Sequence, residues 1–339
     1  MISREQQTLI TVVIPTYRRP QLLGRAIQSV LDQTYSNFRL KIYDNCSGDE
    51  TESVVNSARE KDARISYFCH PTNIGAIGNF NFGMRQIDTP YFCLLGDDNY
   101  LLPDFFEEAV RRLDGLSERT IFVGGIESVD DRGRLISRNL QKWPAGLVRA
   151  PDTIMHIVDS GFPNWEGILF RQQVIDEGRF LDPGFAGAAD QEFIVRIAGD
   201  YDFYVSKKIC ARFTHHSESW TSNRALSEYL TNMNTLLERW LKEYIWTADQ
   251  EERLRLAIDH SNESALRGYV IKNAIIGDDL DTLSAASEYL SDRRTVSNKT
   301  NAVIKFAKFA NTNPILKYAA SHLAKLHLMK HRVKIPSTF

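Results

Sequence analysis

The sequence predicts an α/β fold built on a mostly parallel sheet, with a helical region appended. Three features carry that expectation. Leu9–Ile14 (LITVVI) is a continuous, largely β-branched run, as in a strand covered on both faces. From there to Leu113 the pattern alternates β-α-β-α-β-α-β, the order of right-handed crossover units that join parallel strands. After about Ser222 the texture becomes helical throughout.

The elements follow in order. Pro15 ends the first strand, and from Pro20 the apolar residues Leu22, Leu23, Ala26, Ile27, Val30 and Leu31 recur at helical spacing. Phe38–Tyr43 is a second strand, ending at Asp44. Ser47-Gly48-Asp49 makes a turn and cap before a helix over Glu50–Lys61. Ile65–Cys69 is a third strand, a helix covers about Ile77–Gln86, and the apolar run Tyr91–Leu95 is a fourth strand. Pro103, at a first-turn position, opens a helix through Leu113. Long helices are expected over Leu226–Tyr244, Asp249–Ile276 and Asp279–Leu290. Two basic amphipathic segments follow, Ala302–Ala310 and Pro314–His331. The expected division is residues 1–222 and 223–339.

Composition narrows the classes. With 339 residues, 43% of them hydrophobic, the chain can bury a large core plus an appendage. No run of eighteen apolar residues suits a membrane span, and Met1–Gln7 is polar, without the apolar stretch of a signal peptide. The expectation is a cytoplasmic protein. Cys46, Cys69, Cys93 and Cys210 lie far apart, with no zinc-like spacing, and read as reduced, mostly buried thiols. The net charge of −2 hides an asymmetry: residues 293–339 carry ten cations and no acid, leaving 31 cations against 43 acids elsewhere. A basic segment on an acidic body has its own partner. Here that is anionic lipid on the inner membrane face, the acidic surface of the first domain, or a second copy joined through the C-terminal helices. Nucleic acid is disfavoured, since aromatic interleaving is sparse and no binding motif is present.

The chemistry concentrates at strand ends. Ligands of doubly wound sheets bind outside the carboxyl ends of the strands. Pro15-Thr16-Tyr17, Asp44-Asn45, Asn73 and Asp97-Asp98 all fall there. Asp97 and Asp98 repel each other, and the nearest cations in sequence are Arg85 and Arg111. An isolated Asp-Asp is usually a solvated turn. At the end of a buried strand, the pair suits Mg²⁺ or Mn²⁺, which takes one or two carboxylates and completes its shell on substrate phosphates. There is no GxxxxGK[ST] loop, and no GxGxxG after the first strand, which argues against a dinucleotide oxidoreductase.

From about Thr8 to Ser222 the chain resembles the family 2 glycosyltransferases, which have the GT-A fold. The resemblance rests on Ile14-Pro15-Thr16-Tyr17-Arg18, Ser29-Val30-Leu31-Asp32-Gln33-Thr34, Asp44–Thr51, Asn73-Ile74-Gly75 with Asn81-Phe82-Gly83, and Gly96-Asp97-Asp98 followed by Leu102-Pro103-Asp104. It implies an inverting transferase that moves a sugar from a nucleotide-diphospho-sugar to a hydroxyl of a glycan or lipid-linked acceptor, in bacterial surface polysaccharide synthesis. By this resemblance Pro15, Thr16, Tyr17, Arg18, Asp44, Asn45, Asn73, Gly75, Asn81 and Asp97 hold the donor. Asp98, with Asp97 and His216, holds the divalent metal. Asn45 replaces the acidic residue often found there, so uracil over another base stays open. The family's acidic pair before a helix is Ala189-Asp190 here, which makes Asp190 the general base and Glu192 the fallback. Arg212–Ser219 resembles a late R-x-H-x-x-S stretch, in which His216 and Ser219 keep the spacing. The acceptor is expected between Gly124 and Gly167, with Trp143, Asn164, Trp165 and Glu166 as candidates, although Trp165 suits a core position equally well. The alternatives are a nucleotidyltransferase, whose Gly-rich basic opening loop is missing, and a catalytically silent glycan- or partner-binding relative.

Overall fold

The computed structural model describes residues 9–140, 142–216, 226–270, 280–291, 297–312, 317–318 and 320–321. The chain forms two compact units, residues 1–216 and 217–339.

The first unit begins as the sequence predicts: β1 (Ile10–Thr16), α1 (Pro20–Leu31), β2 (Phe38–Asp44), α2 (Thr51–Arg59), β3 (Ile65–Cys69), α3 (Ala76–Met84) and β4 (Tyr91–Leu94). A short β5 (Tyr100–Leu101) and α4 (Phe105–Leu113) follow. Then come β6 (Thr120–Asp130), β7 (Leu135–Arg138), β8 (Gly146–Val148), α5 (Asp152–Ser160), β9 (Ile168–Arg171), α6 (Gln173–Asp176), α7 (Ala189–Ala198) and β10 (Asp202–His215). The sheet runs β3-β2-β1-β4-β9-β6-β10-β5, with β7 on β6 and β8 on β10. Strands β3, β2, β1, β4, β6 and β10 point one way, while β9 and β5 oppose them. The sheet is therefore mixed beyond β4. Antiparallel β9 is the wedge that lets β6 run alongside β4, so the carboxyl ends of all six codirectional strands share one edge.

Every residue of β1 is buried, as its unbroken apolar pattern requires. Ile10, Val12 and Ile14 pack with Leu23, Ile27 and Val30 of α1 and with Phe105 and Phe106 of α4. Val13 faces the other way, onto α3, where Gly83 is the contact point. A Cβ at Gly83 would lie 2.5 Å from Val13 Cγ1 and 2.9 Å from the Tyr43 ring. The glycine of Asn81-Phe82-Gly83 thus serves close helix–sheet packing. Gly83→Ala is expected to destabilise the unit by about 1–3 kcal/mol through overpacking, lowering the midpoint in a thermal melt by several degrees. An unchanged midpoint would refute this packing role.

Two sequence expectations shift. Pro103 lies outside α4, with Asp104 at the cap position. Leu102 N–H donates to the Cys210 carbonyl (2.8 Å) and the Pro103 carbonyl accepts from Thr34 N–H (2.7 Å), which holds this stretch out of the helix. Cys93 and Cys210 are buried free thiols, but Cys69, at the end of edge strand β3, is exposed, and Cys46, in the turn after β2, is half-buried.

The second unit is helical: α8 (Leu226–Glu243), α9 (Ala248–Tyr269), α10 (Leu280–Ser291) and α11 (Asn298–Ala310). Thr247 and Gln250 form a reciprocal capping box that starts α9. Tyr229 and Ser261 join α8 to α9 at 2.8 Å. Glu263 of α9 accepts from Ser297 N–H (3.0 Å) and Thr300 Oγ1 (2.8 Å), anchoring the start of α11. The first basic segment therefore packs within this unit through Thr300, Ile304, Ala307 and Ala310. Most of the second, Pro314–His331, lies outside the described residues. No described helix is long and apolar enough to cross a membrane.

Candidate active site

The site is built around the turn that follows β4. Asn99 N–H donates to the Gly96 carbonyl at 3.1 Å. A Cβ on Gly96 would meet Asn99 Nδ2 at 2.9 Å and Asp98 Oδ1 at 3.0 Å, so the tight turn leaves no room for one. Buried Asn99 pins the turn from both sides. Its Nδ2 donates to Glu166 Oε1 (2.8 Å), and its Oδ1 accepts from Thr214 N–H at the end of β10 (2.9 Å). Arg25 of α1 stacks over the Tyr100 ring and donates to both the Asp98 carbonyl (2.5 Å) and Thr214 Oγ1 (2.8 Å).

On this frame Asp97 points inward. Its Oδ2 accepts from Thr16 Oγ1 at 2.7 Å and from Tyr17 N–H at 3.4 Å. The missing counter-charge comes from far away in sequence. Arg19 Nη1 lies 3.1 Å from Asp97 Oδ1 and 2.9 Å from Asp98 Oδ2, and His216 Nε2 lies 3.0 Å from the same Asp98 Oδ2. A guanidinium thus already meets the pair. Burial, then the Asp98 charge, push the Asp97 carboxyl up to about 6, against the pull of Arg19. Of the two histidines, His216 faces the carboxylates. His215 packs its ring on Phe213, and burial, then the neighbouring imidazole, hold it below the ordinary histidine range. Ser219 lies outside the described residues.

The residues present fit a divalent ion only in part. Among the described residues no three acidic, histidine or cysteine groups converge as a ready-made cage. Asp98 Oδ2 and His216 Nε2 do converge, and Mg²⁺ or Mn²⁺ needs only one or two protein carboxylates when a diphosphate supplies further oxygens. These two groups, with Asp97 behind them, would hold the ion once Arg19 moves off Asp98.

The neighbouring strand ends form a second cluster. Asp44 is buried, its carboxylate accepting from Ser47 N–H (2.9 Å), Ser47 Oγ (2.6 Å) and Tyr67 OH (2.7 Å). Asn45 donates to Asn73 Oδ1 (2.9 Å) and accepts from Ile74 N–H (2.8 Å). Asn73 Oδ1 also accepts from the N–H of Gly75, whose φ of +78° sets the cap of α3. Arg18, at φ +54°, is tied by its N–H to Ser47 Oγ (2.9 Å) and lays its guanidinium over the Tyr17 ring. Pro15, Thr16, Tyr17, Arg18, Asp44, Asn45, Asn73 and Gly75 are thus brought to one edge. Asn81 is directed elsewhere: its amide exchanges two 2.8 Å hydrogen bonds with the backbone of Leu181, joining α3 to the segment before α7.

The sequence singles out three further carboxylates, Asp190, Glu192 and Glu166. Asp190 is half-buried in the first turn of α7. Glu192 is buried and held by Arg196 at 2.7 and 2.9 Å, an ion pair within the helix. Glu166 is buried in a short 3₁₀ turn (Trp165–Gly167) and accepts from Asn99 and from Trp165 Nε1 (2.9 Å). Burial pushes its carboxyl up to about 8, and the Asp190 and Asp98 charges, both within electrostatic reach, add to the rise. The Trp165 ring is half-exposed and packs on Phe80 at 4.6 Å. Trp143 is a core residue instead: it stacks on Phe203 and donates Nε1 to the Gly161 carbonyl (3.0 Å). Asn164 is used in a hydrogen bond from Asn139 (2.9 Å).

Glu166 makes stability depend on pH. Its folded value near 8 lies above its unfolded value near 4.5. Its stabilising effect is therefore complete below pH 4.5 and is lost as pH rises towards 8, because only the unfolded chain releases the proton early. Glu166→Gln should flatten the fall in melting temperature between pH 5 and 8. Parallel curves for the two proteins would refute a neutral Glu166.

Residues 11–175 match the family described as Glycosyl transferase family 2. Over this stretch the chain is similar to glycosyl transferase family 2. Similar proteins include the GalNAc(5)-diNAcBac-PP-undecaprenol beta-1,3-glucosyltransferase of Campylobacter jejuni, 35% identical over 202 residues, 58% of this chain and 62% of that enzyme. An uncharacterized glycosyltransferase of Rickettsia bellii is 33% identical over 237 residues, 69% of this chain but 33% of the relative. The chain therefore spans less than two thirds of the length of these relatives. Among solved structures, S. aureus TarS 1-349 in complex with UDP-GlcNAc has a TM-score of 0.64 at 17% identity, over 95% of this chain and 92% of that one. The mannosyltransferase PcManGT from Pyrobaculum calidifontis, in complex with GDP-Man and Mn2+, has a TM-score of 0.55 at 13% identity, over 94% and 86% of the two chains. At such identities the likeness is one of fold, and it is the GT-A fold expected from the sequence.

Proposed function

We propose that this protein is a metal-dependent inverting glycosyltransferase of family 2 using a UDP-linked sugar. The observation that carries the reading is the Asp97–Asp98 turn, with Asp97 buried and the pair flanked at one sheet edge by Thr16, Arg19 and His216. A UDP-sugar as donor is supported by the fold shared with a UDP-GlcNAc complex. A lipid-linked glycan as acceptor, within surface polysaccharide synthesis, is supported by the Campylobacter jejuni relative.

In this mechanism the strand-end cluster Pro15–Arg18, Asp44-Asn45 and Asn73–Gly75 holds the nucleoside. Asp98 and His216 would hold the divalent ion, which offsets charge on the leaving diphosphate. Asp190 takes the proton of the acceptor hydroxyl, the oxygen forms its bond to the anomeric carbon, and the carbon–phosphate-oxygen bond breaks. One displacement gives inversion. Glu166, neutral near pH 7, keeps the floor of the site uncharged between Asp98 and Asp190, and Trp165 offers an aromatic face to the acceptor sugar. Incubation with UDP-GlcNAc, UDP-glucose or UDP-galactose, Mn²⁺ and a lipid-linked glycan should release UDP with one donor. No release with any acceptor would contradict the reading.

Peripheral contact with the inner membrane face fits the outer side of α11. There Lys299, Lys305 and Lys308 are exposed beside Phe306 and Phe309, 47% and 60% exposed, with no acid on the helix. Replacing both phenylalanines by Ser should abolish flotation with phosphatidylglycerol vesicles. Equal flotation would dismiss this contact.

A further inference from the structure

We propose that Arg19 is an internal counter-ion that makes metal binding conditional on the nucleoside diphosphate. The inference rests on the donor-site reading above. Arg19 Nη1 contacts Asp97 Oδ1 at 3.1 Å and Asp98 Oδ2 at 2.9 Å. Asp98 Oδ2 is the oxygen that also meets His216 Nε2, so it is where an ion shared by these two groups would sit. In the free protein an entering ion therefore competes with a guanidinium already in place.

Position gives Arg19 somewhere else to go. It ends the loop between β1 and α1, at the strand edge that gathers the donor cluster, and its side chain is 23% exposed. Arg18, beside it, is fixed by Ser47, so the loop backbone is held and only the Arg19 side chain need move. A guanidinium matches phosphate as well as it matches a carboxylate, through parallel N–H donors in one plane. An arriving diphosphate offers Arg19 a second anion and brings oxygens for the ion. The exchange moves Arg19 from Asp98 to phosphate and opens Asp98 Oδ2. Diphosphate and metal then bind with positive coupling beyond what direct phosphate–metal contact supplies, and the coupling is reciprocal. The free protein, its carboxylates neutralised by Arg19, does not collect metal without donor.

The test is a Mn²⁺ titration followed by the electron paramagnetic resonance signal of free ion, with and without UDP. It compares the wild type, Arg19→Gln and Arg19→Lys. Arg19→Gln should bind Mn²⁺ alone between roughly 5- and 150-fold more tightly than wild type, the usual span of a coupling between sites, and should gain correspondingly less from UDP. Arg19→Lys, which keeps a cation with fewer donors, should fall between them, and it keeps the test available if the Gln variant does not fold. Equal Mn²⁺ affinity in wild type and variants, with UDP-dependent binding intact, would overturn the counter-ion role and leave the donor site standing. Absence of Mn²⁺ and UDP binding in all three would overturn the donor site and this inference together.

Discussion

Asp190→Asn is expected to lower the rate of sugar transfer by roughly 10²–10⁴-fold, the usual contribution of a positioned base, while UDP binding stays at the wild-type level. The expectation follows from elimination among three carboxylates. Glu192 is paired with half-buried Arg196 by two hydrogen bonds, and accepting a proton would break that ion pair. Glu166, raised to about 8, is mainly protonated at pH 7 and so is a poor base there. Asp190 is half-buried at the start of α7, where the helix N-terminus favours an anion. Asn preserves the shape of the side chain, so the fold should survive. Steady-state transfer combined with UDP calorimetry separates the outcomes. Wild-type turnover would remove Asp190 as the base, and loss of UDP binding as well would make its role structural.

Asp98→Ala is expected to remove the Mn²⁺-dependent part of UDP binding, a loss of about 10²-fold or more, since even outer partners of metal ligands are worth 10–100-fold. The side chain is the meeting point of Arg19 and His216. Without it the carboxylate that meets His216 is gone, and Asp97 keeps one oxygen on Thr16 and the other on Arg19. Melting temperature without metal should change little, because the repulsion between the two carboxylates goes with the lost contacts. Mn²⁺-enhanced UDP binding at the wild-type level would remove Asp98 from the site.

Much of this architecture was legible along the chain. Continuous apolar runs marked β1 and β4, helical spacing marked α1, and the polar residues following each run identified the shared edge. What stayed hidden depends on partners distant in sequence. Local inspection found no cation for Asp97 and Asp98, yet Arg19 lies 78 and 79 residues away and Thr214, which braces the turn, is 115 residues from Asn99. The antiparallel wedge β9 has only four residues, too few for a period to show. Trp143 and Trp165 look alike in sequence, and only packing makes one core and leaves the other at the edge. Asn81 shows the opposite difficulty: a polar residue in a familiar pattern spends its amide on the backbone of Leu181.

The most direct test of the central claim is calorimetric titration of the intact chain with UDP, dTDP, GDP and CDP, each with and without Mn²⁺. The account predicts that UDP binds tightly only when Mn²⁺ is present and that the other nucleotides bind more weakly. Binding of no nucleotide, or binding indifferent to Mn²⁺, would contradict it.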